Sequence, residues 1–333
     1  VPGKYIVTGG AGFIGSHLVE QLLSEGSEVI IVDKLTYAST QWQMPENRYI
    51  TLLTCDISNR ESITRALRNA LKAKDPTEFS IYHLAAESHV DRSIESADVF
   101  ITTNVLGTQI MLDLCRDFKM RRFVHISTDE VYGSLTEGEA GEDSPLNPTS
   151  AYSASKAASD LIALAHHKTF GTDVVVTRCV NNFGPRQSLE KLIPRVLSRL
   201  LSDQEIPIYG DGSNVREWVY VQDHCQYLRF LMANGKRGHI YNLGSNNRKT
   251  NLELVNELSK LANKNPKITF TKDRLGHDQR YALNSTKVMS ESQPINLTPF
   301  DEALKATVSY YTNYSGSQNY LKELAKTEAF YGN

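Results

Sequence analysis

Cysteine is scarce in this chain of 333 residues. There are four, at Cys55, Cys115, Cys179 and Cys225, spread widely with no C-x-x-C spacing. That excludes a disulfide framework and a zinc site of the usual spacing; it reads as reduced thiols in a cytoplasmic protein with no metal. Long apolar runs are missing as well. Val29 to Val32 is typical of those present, far below the roughly 20 residues that cross a bilayer. The opening VPGKYIVTGGAGF lacks a basic segment followed by an apolar stretch, so no secretory signal is expected. Charge of one sign is not in excess: 36 Lys and Arg against 38 Asp and Glu give −2. A nucleic acid is therefore not an expected partner, because counterion release needs clustered cations. No internal repeat and no low-complexity tract interrupts the chain. The remainder, 40% hydrophobic and 22% charged, is ordinary globular composition with enough core for one large domain or two linked ones.

The first half alternates two periods. Apolar, β-branched runs at Lys4–Thr8, Glu28–Asp33, Tyr49–Thr54, Phe79–Ala85, Arg122–Ser127 and Asp173–Arg178 read as strands. Helical spacing separates them at 13–24, 60–72, 98–118 and 152–170. Continuous runs of this kind suit strands covered by helices on both faces, so the fold class is α/β with a doubly wound parallel sheet. After Arg178 the rhythm breaks into Gly-, Pro- and Asn-rich stretches, NNFGPRQ and YGDGSN. Helices fit 189–201, 222–233, 251–262 and 299–311, and a strand fits 239–243. This half reads as a smaller, loop-rich lobe that weaves back into the sheet. The polar stretch from Ser315 reads as a loosely held tail.

The first strand runs into Gly9-Gly10-Ala11-Gly12-Phe13-Ile14-Gly15, with Gly9, Gly12 and Gly15 at G-x-x-G-x-x-G spacing. Such a turn brings the free N–H groups of a helix N-terminus against a pyrophosphate. Asp33 closes the next strand 18 residues after Gly15, where its carboxylate would bind the ribose hydroxyls of an adenosine and repel a 2′-phosphate. The expected cofactor is NAD rather than NADP, although Lys4 and Lys34 lie close in sequence to these groups. Asp56, in TCDIS, either meets the adenine amine or caps the following helix; the roles can coexist.

The fifth strand ends in Ser127-Thr128-Asp129-Glu130, and Tyr152-Ser153-Ala154-Ser155-Lys156 opens the helix some twenty residues later. Tyr152 and Lys156, four apart, share a helix face. A nearby ammonium favours the phenolate; moving a tyrosine from about 10 to near 7 needs roughly 4 kcal/mol, within reach of a close cation plus a positive nicotinamide. With the Thr128 hydroxyl, the set suits removal of a secondary-alcohol proton as hydride leaves for NAD.

These residues lie in blocks, TGGAGFIGSH, VDKLTYA, HLAAESHVDRSI, STDEVYG, YSASK, NNFGPRQSLEKLIPR, GDGSNVREWVYVQDH and DRLGHDQRY. In that order, over roughly residues 3 to 312, they resemble the nucleotide-sugar 4,6-dehydratases of the extended short-chain dehydrogenase/reductase superfamily, which act on dTDP-glucose or UDP-glucose. The loop STQWQMPENR after Ala38 departs from the family by being short. The resemblance implies a Rossmann domain over residues 1–178 with return segments near 219–247. It implies a substrate lobe over 179–218 and 248–314, a tail at 315–333, and a homodimer joined through the helices at 98–118 and 152–170. It assigns Asp129 as acid and Glu130 as base for loss of water across C5 and C6, the product being a 4-keto-6-deoxy sugar nucleotide of the kind that feeds deoxysugars such as rhamnose. Asp129 must then be protonated, as a charged neighbour and exclusion from water would make it.

The resemblance also places Phe13, Ile14, Lys34, Thr36, Ile57, Leu84, Ala85, Ala86, Thr103 and Asn182 along the cofactor. Ser88 and Asn181 would reach the sugar or nicotinamide. Lys191, Arg195, Arg216 and Arg274 are candidates for the diphosphate, which needs charge-assisted donors, with Leu192 beside them. Pro207 and Tyr209 would wall the base. Asn251 would touch ligand or cap its helix, and His277 sits in the GHD block without a role that physics assigns. Other readings are a C4 epimerase or a UDP-glucuronate decarboxylase, against which Asp129 beside Glu130 argues, and a nucleotide-sensing protein, against which retention of Tyr152 and Lys156 argues.

Overall fold

A computed structural model describes residues 2–36, 39, 44–273, 276–292 and 295–331. The sheet-forming half runs β1 (Lys4–Thr8), α1 (Phe13–Ser24), β2 (Glu28–Asp33), β3 (Ile50–Thr54), α2 (Arg60–Leu71), β4 (Phe79–His83), α3 (Val90–Glu95), α4 (Asp98–Phe100), α5 (Gly107–Asp117), β5 (Phe123–Thr128), α6 (Ala151–Phe170) and β6 (Val174–Cys179). The rest runs β7 (Asn181–Phe183), α7 (Leu192–Leu201), β8 (Glu205–Tyr209), β9 (Val215–Tyr220), α8 (Val221–Asn234), β10 (Ile240–Leu243), β11 (Arg248–Thr250), α9 (Asn251–Leu261), β12 (Lys267–Thr271), α10 (Thr286–Glu291), α11 (Phe300–Tyr314) and α12 (Gln318–Tyr331).

Seven strands pair in parallel in the order β10-β6-β5-β4-β1-β2-β3. Alternation along each strand divides the core between the two faces. Val7, Val29, Ile31, Val124 and Val175 point to the side of α1 and α8. Their neighbours Ile6, Ile30, Phe123, Val174 and Val176 point to the side of α2, α5 and α6. The order reverses between β1 and β4, so the loops leaving their C-terminal ends open a crevice, the place where ligands bind in such sheets. A second core, built on α7, α9 and α11 with β8 and β9, lies beyond Cys179. Its small sheets are β11-β9-β7 and β12-β8. The strand expected at 239–243 joins the main sheet as β10, beside β6.

Several local expectations are corrected. The helix expected over 98–118 is interrupted by π-helical turns at Ile101–Leu106. Within them Asn104 donates to Glu87 O and to Ser155 Oγ at 3.0 and 2.9 Å, tying the segment to α6. Asn251 is not a cap. Thr250 caps α9 in a reciprocal box with Glu253, the S/T-x-x-E pattern that satisfies two backbone donors. Nor does Asp56 cap α2: Asn59 does, while Asp56 accepts the N–H and hydroxyl of Ser58. The stretch expected as a loose tail forms α12. Tyr320 is buried against the second core and bonded to Ser198 Oγ at 2.8 Å, and Glu323 Oε1 accepts Leu189 N–H at 2.9 Å.

Candidate active site

The turn between β1 and α1 is shaped by close approach. Gly9 has φ +69°, and a Cβ there would lie 2.8 Å from Ala85 N; a Cβ on Gly15 would lie 2.1 Å from Gly9 O. Only glycine fits both positions. α1 begins without a side-chain cap, so the dipole end of the helix faces the crevice bare. Asp33 ends β2 at the same edge. Its carboxylate accepts Ala11 N–H at 3.1 Å and Leu35 N–H at 2.8 Å, yet burial holds it above the usual carboxylate range. Lys34 is paired with Glu87 at 3.0 Å and stands 4.0 Å from Asp56, which engages this cation away from any 2′-phosphate.

One continuous cleft follows the C-terminal ends of the sheet strands. It is lined by Gly9, Gly12, Phe13, Ile14, Gly15, Asp33, Lys34, Thr36, Asp56, Ile57, Leu84, Ala85, Ala86, Thr103 and Asn182. Ser88, Thr128, Asp129, Glu130, Tyr152, Lys156, Asn181 and Lys191 share it. The side chains anticipated for a dinucleotide and for chemistry therefore converge on one space.

At the β5 end, Thr128 N-caps a short 3-10 turn, Asp129–Tyr132, that carries both acids. Gly133 stops it with φ +74°, where a Cβ would strike Asn147 O at 2.0 Å. Asp129 is 3% exposed, its Oδ1 accepts the Thr128 hydroxyl at 3.1 Å, and its Oδ2 has no hydrogen-bond partner among the described residues. Burial, then the charge of Glu130, hold its carboxyl well above the usual range, Thr128 and Arg216 acting in the opposite sense. A shift in that direction favours the protonated acid. Lys156 is buried and donates to Ile126 O at 2.7 Å; burial lowers it to about 8, while Asp160 pulls it back up. The Tyr152 phenol is held well above its ordinary value by burial and by Glu130, with a Thr128 hydrogen bond acting to lower it. The lowering expected from Lys156 is thus absent from the protein alone, because burial and Glu130 act against the phenolate and Lys156 is anchored on a carbonyl.

On the substrate side the expected residues separate. Lys191 lines the cleft and donates to Ser88 O at 2.8 Å. Arg216 is 6% exposed, bonded to Val215 O and Asp278 O at 2.9 and 2.8 Å, and stacked over Tyr281 at 4.5 Å; its charge reaches Asp129. Leu192 packs on the second core. Arg195 lines a separate shallow cleft beside α12, with Leu324 and Glu328. Pro207 and Tyr209 lie on β8, and Tyr209 meets the His277 ring edge-on at 6.2 Å. Leu192, Arg195, Pro207, Tyr209, Arg216, Asn251 and His277 do not line the main cleft, and Arg274 lies outside the described residues. Sequence reasoning missed His89, Cys179, Gln187 and Glu190, which do line it. Glu190 holds Arg92 at 2.9 Å and His89 at 3.2 Å. Its place in the block that supplied Lys191 was the available signal.

Known proteins match most of the chain. A curated dTDP-glucose 4,6-dehydratase of Actinoplanes sp. is 42% identical over 319 residues, covering 92% of this chain and 97% of its own. The crystal structure of DesIV, a dTDP-glucose 4,6-dehydratase from Streptomyces venezuelae with NAD and TYD bound, superposes with a TM-score of 0.87 at 43% identity, over 94% of this chain and 98% of that one. A UDP-glucose 4-epimerase of Thermus thermophilus in complex with NAD matches at 0.85 but only 29% identity, over 93% and 99%. The family model described as GDP-mannose 4,6 dehydratase matches residues 6–306, and the chain belongs to that family.

Proposed function

We propose that the protein is an NAD-dependent nucleotide-diphosphoglucose 4,6-dehydratase, a hydro-lyase that takes dTDP-glucose. The observation that carries this reading is the pair of acids on one buried turn: Asp129, whose Oδ2 has no partner among the described residues, next to Glu130, both lining the cleft that Tyr152 and Lys156 also line. An epimerase needs only the tyrosine and its partners. The turn at Gly9 and Gly15, where a Cβ would strike the backbone of Ala85 and of Gly9, is the tight kind that suits a dinucleotide pyrophosphate, and Asp33 fits its adenosine ribose.

Held at the glycine turn and by Asp33, NAD would supply the hydride acceptor for C4 and the hydride donor for C6, and its positive charge together with that of Lys156 would favour the Tyr152 phenolate. The protein's residues do the proton work. Tyr152 takes the proton of the C4 hydroxyl, with Thr128 bonded to the same oxygen. The resulting ketone acidifies C5–H, and Glu130 removes that proton. Asp129 delivers its proton to the C6 hydroxyl, which leaves as water. Glu130 then returns a proton to C5. The two carboxyls divide acid and base roles because burial keeps one of them neutral. Lys191, which lines the cleft, serves the diphosphate, with Arg216 and Arg274 as further candidates. Residues 1–178 with 219–247 serve the cofactor, and 179–218 with 248–314 the substrate.

Ile94, Val99, Ile101, Leu106, Leu161 and Phe170 are each between 41 and 56% exposed, all on the segments α3 to α6. Apolar exposure of that extent on these neighbouring segments suits a homodimer packed there. No described helix is long and apolar enough to cross a membrane. The four cysteines are free, in keeping with the cytoplasm, and the product suits deoxysugar formation, rhamnose among the outcomes.

Incubation with dTDP-glucose and, in parallel, UDP-glucose, read by mass spectrometry, tests the proposal. Loss of one water from the dTDP sugar supports it. An unchanged mass with galactose appearing refutes it in favour of an epimerase.

A further inference from the structure

One buried side chain links the two elements that carry the catalytic set. Arg178, on β6, lies between Ser127 of β5 and Asn242 of β10 in the sheet register. Its Nε donates to Asp160 Oδ2 at 2.9 Å, and Asp160 lies one helical turn beyond Lys156 on α6. Its Nη1 donates to the Tyr132 hydroxyl at 2.8 Å, and its guanidinium lies 4.8 Å from that ring's centre. Tyr132 is the last residue of the turn that bears Asp129 and Glu130, and its hydroxyl donates onward to Asn242 Oδ1 at 2.8 Å. Asp160, Arg178, Tyr132 and Asn242 are all 5% exposed or less. His125 closes the far side of Asp160, 3.3 Å from Oδ1.

We propose that Arg178, Asp160 and Tyr132 form a brace that sets the acid–base turn at a fixed distance from the Tyr152–Lys156 helix, and that this brace governs elimination of water more than C4 oxidation. The inference rests on the dehydratase reading above. The asymmetry follows from where each half is otherwise anchored. α6 has independent supports: the Ser150–Ser153 capping box, the Ser155 bond to Asn104, and Lys156 on Ile126 O. Tyr152 and Lys156 therefore stay in place when the brace is loosened. The acids ride on a turn of four residues; Asn147 N–H on Val131 O, at 3.0 Å, holds its backbone, and the phenol of Tyr132 is its side-chain tether into the sheet. A short turn freed at one end shifts by fractions of an ångström, and displacements near 1 Å can cost about 100-fold in a positioned reaction. Buried charges also hold their geometry stiffly, since each loses its partner if it moves. These three are positioning residues: none lines the cleft.

Tyr132→Phe is the decisive variant. It keeps the ring under Arg178 and deletes only the hydroxyl. NAD-loaded wild type and variant are mixed with dTDP-glucose, and two quantities are followed: the first-turnover absorbance of reduced nicotinamide, and release of the 4-keto-6-deoxy product with solvent deuterium at C5. The brace predicts oxidation within about twofold of wild type and elimination slowed at least tenfold, so that reduced nicotinamide accumulates in the steady state. Thermal midpoint and NAD content, read on the same samples, stay close to wild type. Asn242→Ala, which removes the phenol's acceptor, should show the same split if Tyr132→Phe folds poorly. Equal slowing of both steps, or no slowing of either in a wild type that dehydrates, overturns the brace alone. A wild type that neither oxidises nor dehydrates the sugar overturns the functional reading and the brace with it.

Discussion

Asp129→Asn separates the chemistry of the site from its stability in a single variant. The substitution is close to isosteric, and an amide oxygen can still accept the Thr128 hydroxyl that now lies 3.1 Å from Oδ1. It removes the proton that the C6 hydroxyl needs, so turnover should fall roughly 100- to 10,000-fold, the range for loss of a positioned general acid. Stability should move the other way. Burial and Glu130 raise the folded-state value of Asp129 above that of the unfolded chain. Between those two values the folded protein holds one proton more than the unfolded one. Wild-type stability from this group is therefore complete below about pH 4 and declines as pH rises towards the folded value, by up to about 1.4 kcal/mol per pH unit. Asparagine cannot ionise and carries no such slope. Urea unfolding of the two NAD-loaded proteins from about pH 5 to about pH 8 should show the variant gaining on wild type as pH rises. A difference that stays flat or shrinks would refute the assignment of a neutral, buried acid, whatever the activity.

Gly15→Ala places a methyl 2.1 Å from Gly9 O. Purified variant should carry little or no NAD, read by absorbance after denaturation, with secondary structure by circular dichroism near wild type. Lys156 is brought down to about 8, so its charge is present below that pH and lost above it. The pH profile of kcat/KM should fall as pH rises through about 8, and Lys156→Met should lose turnover and that limb together; a limb that persists in the variant belongs to another group. Leu161→Glu puts a charge at a position 56% exposed on α6. If the proposed dimer packs there, wild type should sediment as a dimer and the variant as a monomer; equal sedimentation of the two refutes that placement.

Where the sequence was legible, short-range physics set the outcome. The β-branched runs, the glycine spacing and the i, i+4 pair Tyr152–Lys156 each follow from local geometry, and the structure places them at one sheet edge. Legibility failed where two local signals competed. Thr250 and Asn251 are adjacent cap formers, and Glu253 three residues after Thr250 decides between them. Asp56 and Asn59 compete in the same way, and the helix begins after the second. It failed again where a partner remote in sequence decides the matter. The polar stretch after Ser315 becomes a helix because Tyr320 finds Tyr314 and Ser198. Arg195 looked like a diphosphate ligand from its block, but on α7 the neighbours Ile193, Val196 and Leu197 are buried in the second core, and the arginine lies beside α12. The electrostatics of Tyr152 are set by burial and by Glu130, 22 positions away, where the sequence spacing pointed to the cation one helical turn along.

The bond from Glu323 on α12 to Leu189 N–H has a practical side. Leu189 adjoins Glu190 and Lys191, which border the cleft. Chains cut before residue 318 would strip the backing from that loop. Changes on α12 should register first as altered sugar-nucleotide affinity, long before the sheet itself is disturbed.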